Sequence, residues 1–209
     1  MLRSYFYYFT LFCAFFATSK DCEANQSGLF PSTRFSAYQS IYSGEPGKSF
    51  AETATGLGAG ITVFMDGKRL IPYFGFKVGS MTGTQTFLDG TAEVSSSFKY
   101  YNSTAEAGLQ LFVIERKKRG FNVYFSGGGV LGYNFVALGK TVELQNIHRS
   151  DQSFSTGYAA GIGSEWILTS ANNNKWNFNS EVLYKNEGAT LFNSKYDLSC
   201  MVFSIGLGW

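Results

Sequence analysis

Ser199-Cys-Met-Val-Phe-Ser-Ile-Gly-Leu-Gly-Trp209 is the stretch that decides the fold. Counting in twos from its end gives Trp209, Leu207, Ile205, Phe203 and Met201. The alternate positions are Gly208, Gly206, Ser204, Val202 and Cys200. One face is wholly large and apolar; the other is mostly small. Only a period of two sorts residues so cleanly, so the stretch is a strand.

The same alternation recurs upstream and predicts eight strands. The first is about 34–42, with Phe35, Ala37 and Ile41 opposite Arg34, Ser36, Tyr38 and Ser40. The second, about 53–65, sets Leu57, Ala59, Ile61, Val63 and Met65 against Gly56, Gly58, Gly60, Thr62 and Phe64. Asp66-Gly67 is a tight hairpin signal. The third, about 70–82, opposes Phe74, Phe76 and Val78 to Tyr73, Gly75, Lys77 and Gly79. Pro72 belongs near a strand start or a bulge, where its missing N–H is tolerated. From 83 to about 103 the pattern weakens, which predicts strand extensions and a long loop.

The fourth strand is about 104–114, with Ala107, Leu109, Leu111 and Val113 opposite Glu106, Gly108, Gln110, Phe112 and Ile114. The fifth, about 121–134, follows a short basic turn, Arg116, Lys117, Lys118 and Arg119, expected to anchor strand ends beside headgroups. A loop of about 135–152 carries the single histidine, His148. The sixth strand is about 154–168 and the seventh about 176–185. A loop of about 186–195 leads into the last strand, about 196–209. No helical period of useful length appears.

The bulky row is apolar, and the opposite row is rich in Gly, Ser and Asn with a few charges. A soluble barrel has the reverse polarity, so this pattern is that of a barrel with lipid outside. Mean hydropathy is only −0.06, as alternation dilutes the signal. No apolar run after the N-terminus approaches the roughly 20 residues of a spanning helix. The joins after strands two, four and six are short, and the others are mostly longer. That asymmetry places both termini on the side of the short turns. Trp166, Trp176 and Trp209 then all fall at that interface as an aromatic girdle.

Composition bounds the rest. The chain has 209 residues, enough for one domain, with 15% charged and 18% aromatic residues. A net charge of +2 gives no case for nucleic acid. One histidine and three cysteines argue against a multi-ligand zinc site, and no metal or other cofactor is expected. Arg3 followed by the apolar run Tyr5–Phe16 reads as a secretory signal peptide over 1–24, with cleavage after Ser19 or Ala24. The barrel domain is then 25–209. Cys13 leaves with the leader, and no disulfide is expected between Cys22 and Cys200.

In strand count, loop asymmetry and terminal strand the chain resembles the small OmpA/OmpX-type outer-membrane barrels. Their last residue is usually Phe, where this chain has Trp209. The resemblance implies an all-β, eight-stranded, antiparallel up-and-down transmembrane barrel in a bacterial outer membrane. It also implies that Phe203, Ile205, Leu207 and Trp209 are the assembly signal read by the barrel-assembly machinery. Partners are then outer-membrane lipids, lipopolysaccharide among them, and a monomer is expected. No peptidoglycan-binding domain is expected after the barrel.

Arg34, Lys77, Glu106, Glu165, Glu181 and Lys185 stand on the inward parity. Charges in a narrow lumen must be paired or hydrated. They are expected to form a network that closes the lumen, giving a non-catalytic barrel with a structural or surface-interaction role. The alternative is a narrow channel for ions or small solutes. A third reading rests on His148-Arg-Ser150-Asp151, where imidazole, hydroxyl and carboxylate are the parts of a hydrolase. The His-x-Ser spacing is similar to that of eight-stranded lipid A deacylases. It departs from them because the pair lies in the third outer loop and the last strand has no acid after Asp197. The expectation is therefore not an enzyme.

Overall fold

The computed structural model describes residues 33–43, 53–89, 91–117, 119–139, 148–169 and 175–209. The predicted leader, Cys13 and Cys22 lie outside them. The strands are β1 (Thr33–Ser43), β2 (Thr53–Phe64), β3 (Leu70–Asp89), β4 (Ala92–Phe112), β5 (Gly120–Leu138), β6 (Ser150–Thr169), β7 (Lys175–Leu191), β8 (Ser194–Asp197) and β9 (Cys200–Gly208). From β1 to β8 each strand pairs antiparallel with the next, and β9 pairs with β7 and β1. The sheet is therefore closed. β8 and β9 keep one register against β7, and Leu198 N–H donates to Glu187 O across the break (2.7 Å). They act as a single stave, so the barrel has eight.

The stagger follows from the pairing. From partner to partner, Thr33 leads through Val63, Phe74, Ala107, Gly129, Tyr158 and Asn186. The same register carries on through Ser199 to Ser43, ten residues further along β1. A stagger of ten over eight strands, at about 3.3 Å rise and 4.8 Å spacing, tilts the strands by about 41°. Each residue then climbs about 2.5 Å along the barrel axis.

The outward row is apolar and exposed on every stave: Phe35, Leu57, Phe74, Leu109, Phe125, Ile162, Phe178 and Ile205 are examples. By register this band is about 25 Å tall, the thickness typical of transmembrane barrels. Inside, residue sizes are matched across the lumen. A Cβ on Gly58 or Gly79 would collide with the Tyr38 ring, and one on Gly163 with Tyr124. Small residues on one stave thus leave room for rings from another.

Three predicted loops prove shorter, because strands continue into them. Residues 83–89 and 92–103 are the arms of an extended β3–β4 hairpin, β5 and β6 take up both ends of 135–152, and β7 runs on to Leu191. The turn at Phe192 and Asn193 has positive φ (50° and 62°) at both residues, the conformation that matches hairpin twist. The reason for the weak signal is physical: the polarity of the staves reverses near the upper edge of the band. On β4, Thr104, Glu106 and Gln110 face inward and Leu109 and Leu111 outward. Higher up, Phe98 and Tyr100 face inward while Ser95, Ser97 and Lys99 are exposed. Met81, Phe98, Val136, Leu138, Leu191 and Leu198 form an apolar core there, as in a water-soluble protein. Within this cap, burial pushes the Tyr196 phenol up from its ordinary value, opposed by a hydrogen bond with Ser194.

Two smaller expectations are also corrected. The β2–β3 connection spans residues 65–69 rather than a two-residue turn at Asp66-Gly67. Ile114 lies past the end of β4 and is exposed rather than inward.

Candidate functional site: the charged lumen

Every predicted inward charge faces the lumen, in three tiers. In the lowest, Glu165 on β6 receives Arg116 Nε and Nη2 at 2.5 and 2.8 Å. Asn122 and Asn177 each donate to the same carboxylate at 3.2 Å. Arg34 Nη2 stands 3.7 Å from it, and its guanidinium lies 4.4 Å from the centre of the Phe64 ring. Arg116 sits similarly over Phe112. Cations stacked on aromatic faces keep favourable contacts after losing water.

In the middle tier Lys77 and Glu106, on adjacent strands β3 and β4, pair at 2.7 Å. Ser126 donates to Glu181 at 2.8 Å. In the upper tier Lys185 and Glu187 pair at 2.7 Å along one strand. The Ser155 hydroxyl donates to Glu187, Asn134 to Ser155, and Tyr100 to Asn134. The four inward cations Arg34, Lys77, Arg116 and Lys185 are matched in number by four carboxylates; Glu106, Glu165 and Glu187 take the ion pairs, and Glu181 accepts from Ser126.

Two small cavities lie among the tiers. A cavity of about 20 Å³ lies beside Arg34, Lys77, Glu106 and Glu181. A second of about 10 Å³ lies beside Tyr38, Tyr42, Lys77, Glu106 and Lys185. Volumes of this size hold about one water each. The Lys77–Glu106 pair borders both and separates them.

Two members of the network escaped the sequence reading. Glu187 was assigned to a loop, though it stands two residues beyond Lys185 on the same inward parity. Arg116 was assigned to the anchoring basic turn. Instead its side chain folds back into the lumen, 5% exposed, and its N–H donates to Lys68 O (2.7 Å), joining the two lower turns. No alternation marks a residue beyond its strand's end. The other described members of the turn, Lys117 and Arg119, are exposed.

Trp166, Trp176 and Trp209 are all exposed on the outward row. By register their backbones lie within about 3 Å of one level along the axis. Trp209 stacks on Phe35 at 5.3 Å and lies 6.1 Å from Trp176. Phe203, Ile205 and Leu207 continue the same outward row. His148 is exposed at the start of the described segment, and Ser150 is also exposed. The Asp151 carboxylate accepts from Phe192 N–H (2.5 Å) and Gln152 N–H (2.8 Å), tying two outer connections together. Among the described residues no group of three potential ligands is placed to hold a metal.

A closed antiparallel barrel with this wall and this lumen is a small, membrane-spanning, eight-stranded β-barrel. No protein-family model matches the chain, and no curated protein matches it. Among solved structures it is similar to Neisserial surface protein A, with 17% identity over 87% of this chain and 96% of that one, at a TM-score of 0.47. It is also similar to Ail, the attachment invasion locus protein of Yersinia pestis, solved in complex with the heparin analogue sucrose octasulfate. There the identity is 16% over 85% and 95% of the two chains, with a TM-score of 0.39. For Ail in a phospholipid bilayer nanodisc the values are 16%, 86%, 100% and 0.33.

Proposed function

We propose that this is a bacterial outer-membrane barrel with a shut lumen and a structural or surface-interaction role, not an enzyme. The observation that carries the reading is the lumen itself. Its charges are balanced in number, all four cations are ion-paired within their own tiers, and two cavities among them have room for about one water each. Such a column blocks ion flow more readily than it conducts, because each lumen cation already has a carboxylate partner.

The hydrolase reading has little support: Asp151 is engaged by backbone donors rather than by His148. The remaining expectations belong to the same proposal. Residues 1–24 direct export, and the outward row Phe203, Ile205, Leu207 and Trp209 is read by the assembly machinery. The three tryptophans anchor the periplasmic interface. The mature barrel works as a monomer among outer-membrane lipids, lipopolysaccharide included.

Conductance in planar bilayers tests the closed lumen. No steps above bare lipid are expected at high salt. Regular unitary steps from the folded protein overturn the reading in favour of a narrow channel.

A further inference from the structure

We infer that the outer wall of β4–β6 carries a docking site for one phosphate-bearing, multi-acyl lipid of the outer leaflet. The inference rests on the outer-membrane reading above and specifies a ligand within it.

On β2, β3, β7 and β9 the outward row turns polar at Thr55, Ser80, Asn186 and Ser199, which by register lie within about 4 Å of one another. On β4–β6 the outward row stays aromatic at that height and up to about 4 Å above it, as a shelf. It consists of Tyr101, Tyr133, Phe135 and Phe154. Tyr101 lies against Phe135 (6.4 Å) and Tyr133 against Phe154 (5.3 Å). Tyr133 donates to Gln152 at 2.6 Å, which fixes the ring. Phe154 is 80% exposed. This shelf occupies three adjacent staves.

Below the shelf, the same staves lose their bulk. Ala107, Gly127, Gly129 and Ala160 are outward neighbours across the ladders. The inward glycines make room for the protein's own groups, but these two outward glycines do not. A Cβ on Gly129 would meet nothing within 4 Å, and one on Gly127 only Ala159 O at 3.8 Å. Even Tyr158, the direct partner of Gly129, does not cover it. A glycine in a strand interior weakens the strand and often marks a close approach by something else. The depression lies within the apolar band, with Leu109, Phe125, Leu131 and Tyr158 around it. Its apolar lining suits acyl chains.

Charge selects the headgroup. Lys99 is exposed one outward position above Tyr101, and Arg149 is exposed at the mouth of the same staves. From Lys99 downward on β4, and along β5 and β6, the acids Glu106, Asp151 and Glu165 stand on the inward parity. Among the described residues, Lys99 therefore has no outward acid beside it or below it on these staves. A second copy of the chain docked face to face would bring like charges together. A lipid phosphate at this height meets Lys99, with its chains below the shelf.

The test is native mass spectrometry of the mature full-length barrel. The barrel is released from phosphatidylcholine nanodiscs doped with bis-phosphorylated lipid A. Insertion is checked by the heat-dependent gel shift. The wild type is expected to retain one lipid A. Lys99→Glu is expected to lower retention about five- to tenfold, and Gly129→Phe, which fills the depression, to do the same. Thr190→Glu, exposed at nearly the same level by register on β7, is expected to leave retention unchanged. Dephosphorylated lipid A is expected to be lost. Unchanged retention in both Lys99→Glu and Gly129→Phe overturns the site, as does equal retention of the dephosphorylated lipid. A wild-type dimer abolished by Gly129→Phe reassigns the face to a second copy and overturns it too. A wild type that never inserts fails at the gel shift and removes the membrane reading itself.

Discussion

Replacing Glu165 by alanine is expected to be the most damaging single truncation in the lower lumen. The side chain is fully buried and accepts four hydrogen bonds, two from Arg116 and one each from Asn122 and Asn177. Arg34 also depends on it electrostatically at 3.7 Å. Removing one partner of a buried pair costs about 3–5 kcal/mol, because the other charge stays buried. Two neutral donors add about 1 kcal/mol each. Water entering the new void offsets part of this, since polar voids of this size are wet. The net expectation is a loss of about 3–5 kcal/mol. Urea titration in lipid vesicles, followed by tryptophan emission and by the gel shift of unboiled protein, reads it. Glu165→Ala combined with Arg116→Met is expected to recover at least about 1 kcal/mol, because the stranded cation is gone. The control is Glu115→Ala, which removes the exposed pair with Lys68 and should change nothing measurable. A Glu165→Ala loss below about 1 kcal/mol, the scale of exposed pairs, refutes the reasoning. So does a double variant no better than the single one.

Ile162→Arg, near the middle of the outward band, is expected to cost about 2–4 kcal/mol, while Ser97→Arg, outward above the band, should cost almost nothing; equal costs in vesicle titrations contradict the polarity reversal. Gly58→Val drives a side chain into the Tyr38 ring, so the folded fraction on unboiled gels should fall sharply, whereas Gly129→Ala should fold normally. Three single-tryptophan variants, each keeping Trp166, Trp176 or Trp209, should be quenched most strongly by lipids brominated at one shared shallow depth. A maximum at the bilayer centre for any of them breaks the girdle assignment.

What the sequence revealed and what it hid have one physical cause. Alternation of Trp209, Leu207, Ile205 and Phe203 against Gly208, Gly206 and Ser204 is strong because lipid and lumen demand opposite chemistry. The same contrast made Lys77, Glu106 and Glu181 readable as inward before any pairing was known. Above the band, water replaces lipid outside and apolar packing replaces the charged column inside. On β4 the inward Phe98 and Tyr100 and the outward Ser97 and Lys99 still alternate, but with the opposite sign. A reading tuned to one sign sees noise where the sign changes, and so finds a loop at 83–103. Glu187 was lost for the same reason: it stands at the top of β7, where Ala189 and Leu191 begin the cap. Arg116 is a different case. It reaches the lumen from beyond the strand end, and only the placement of Glu165 explains why it turns inward. Periodicity therefore reports the surroundings of a strand, while the charged network in the lumen also draws on side chains, such as Arg116, that periodicity does not govern.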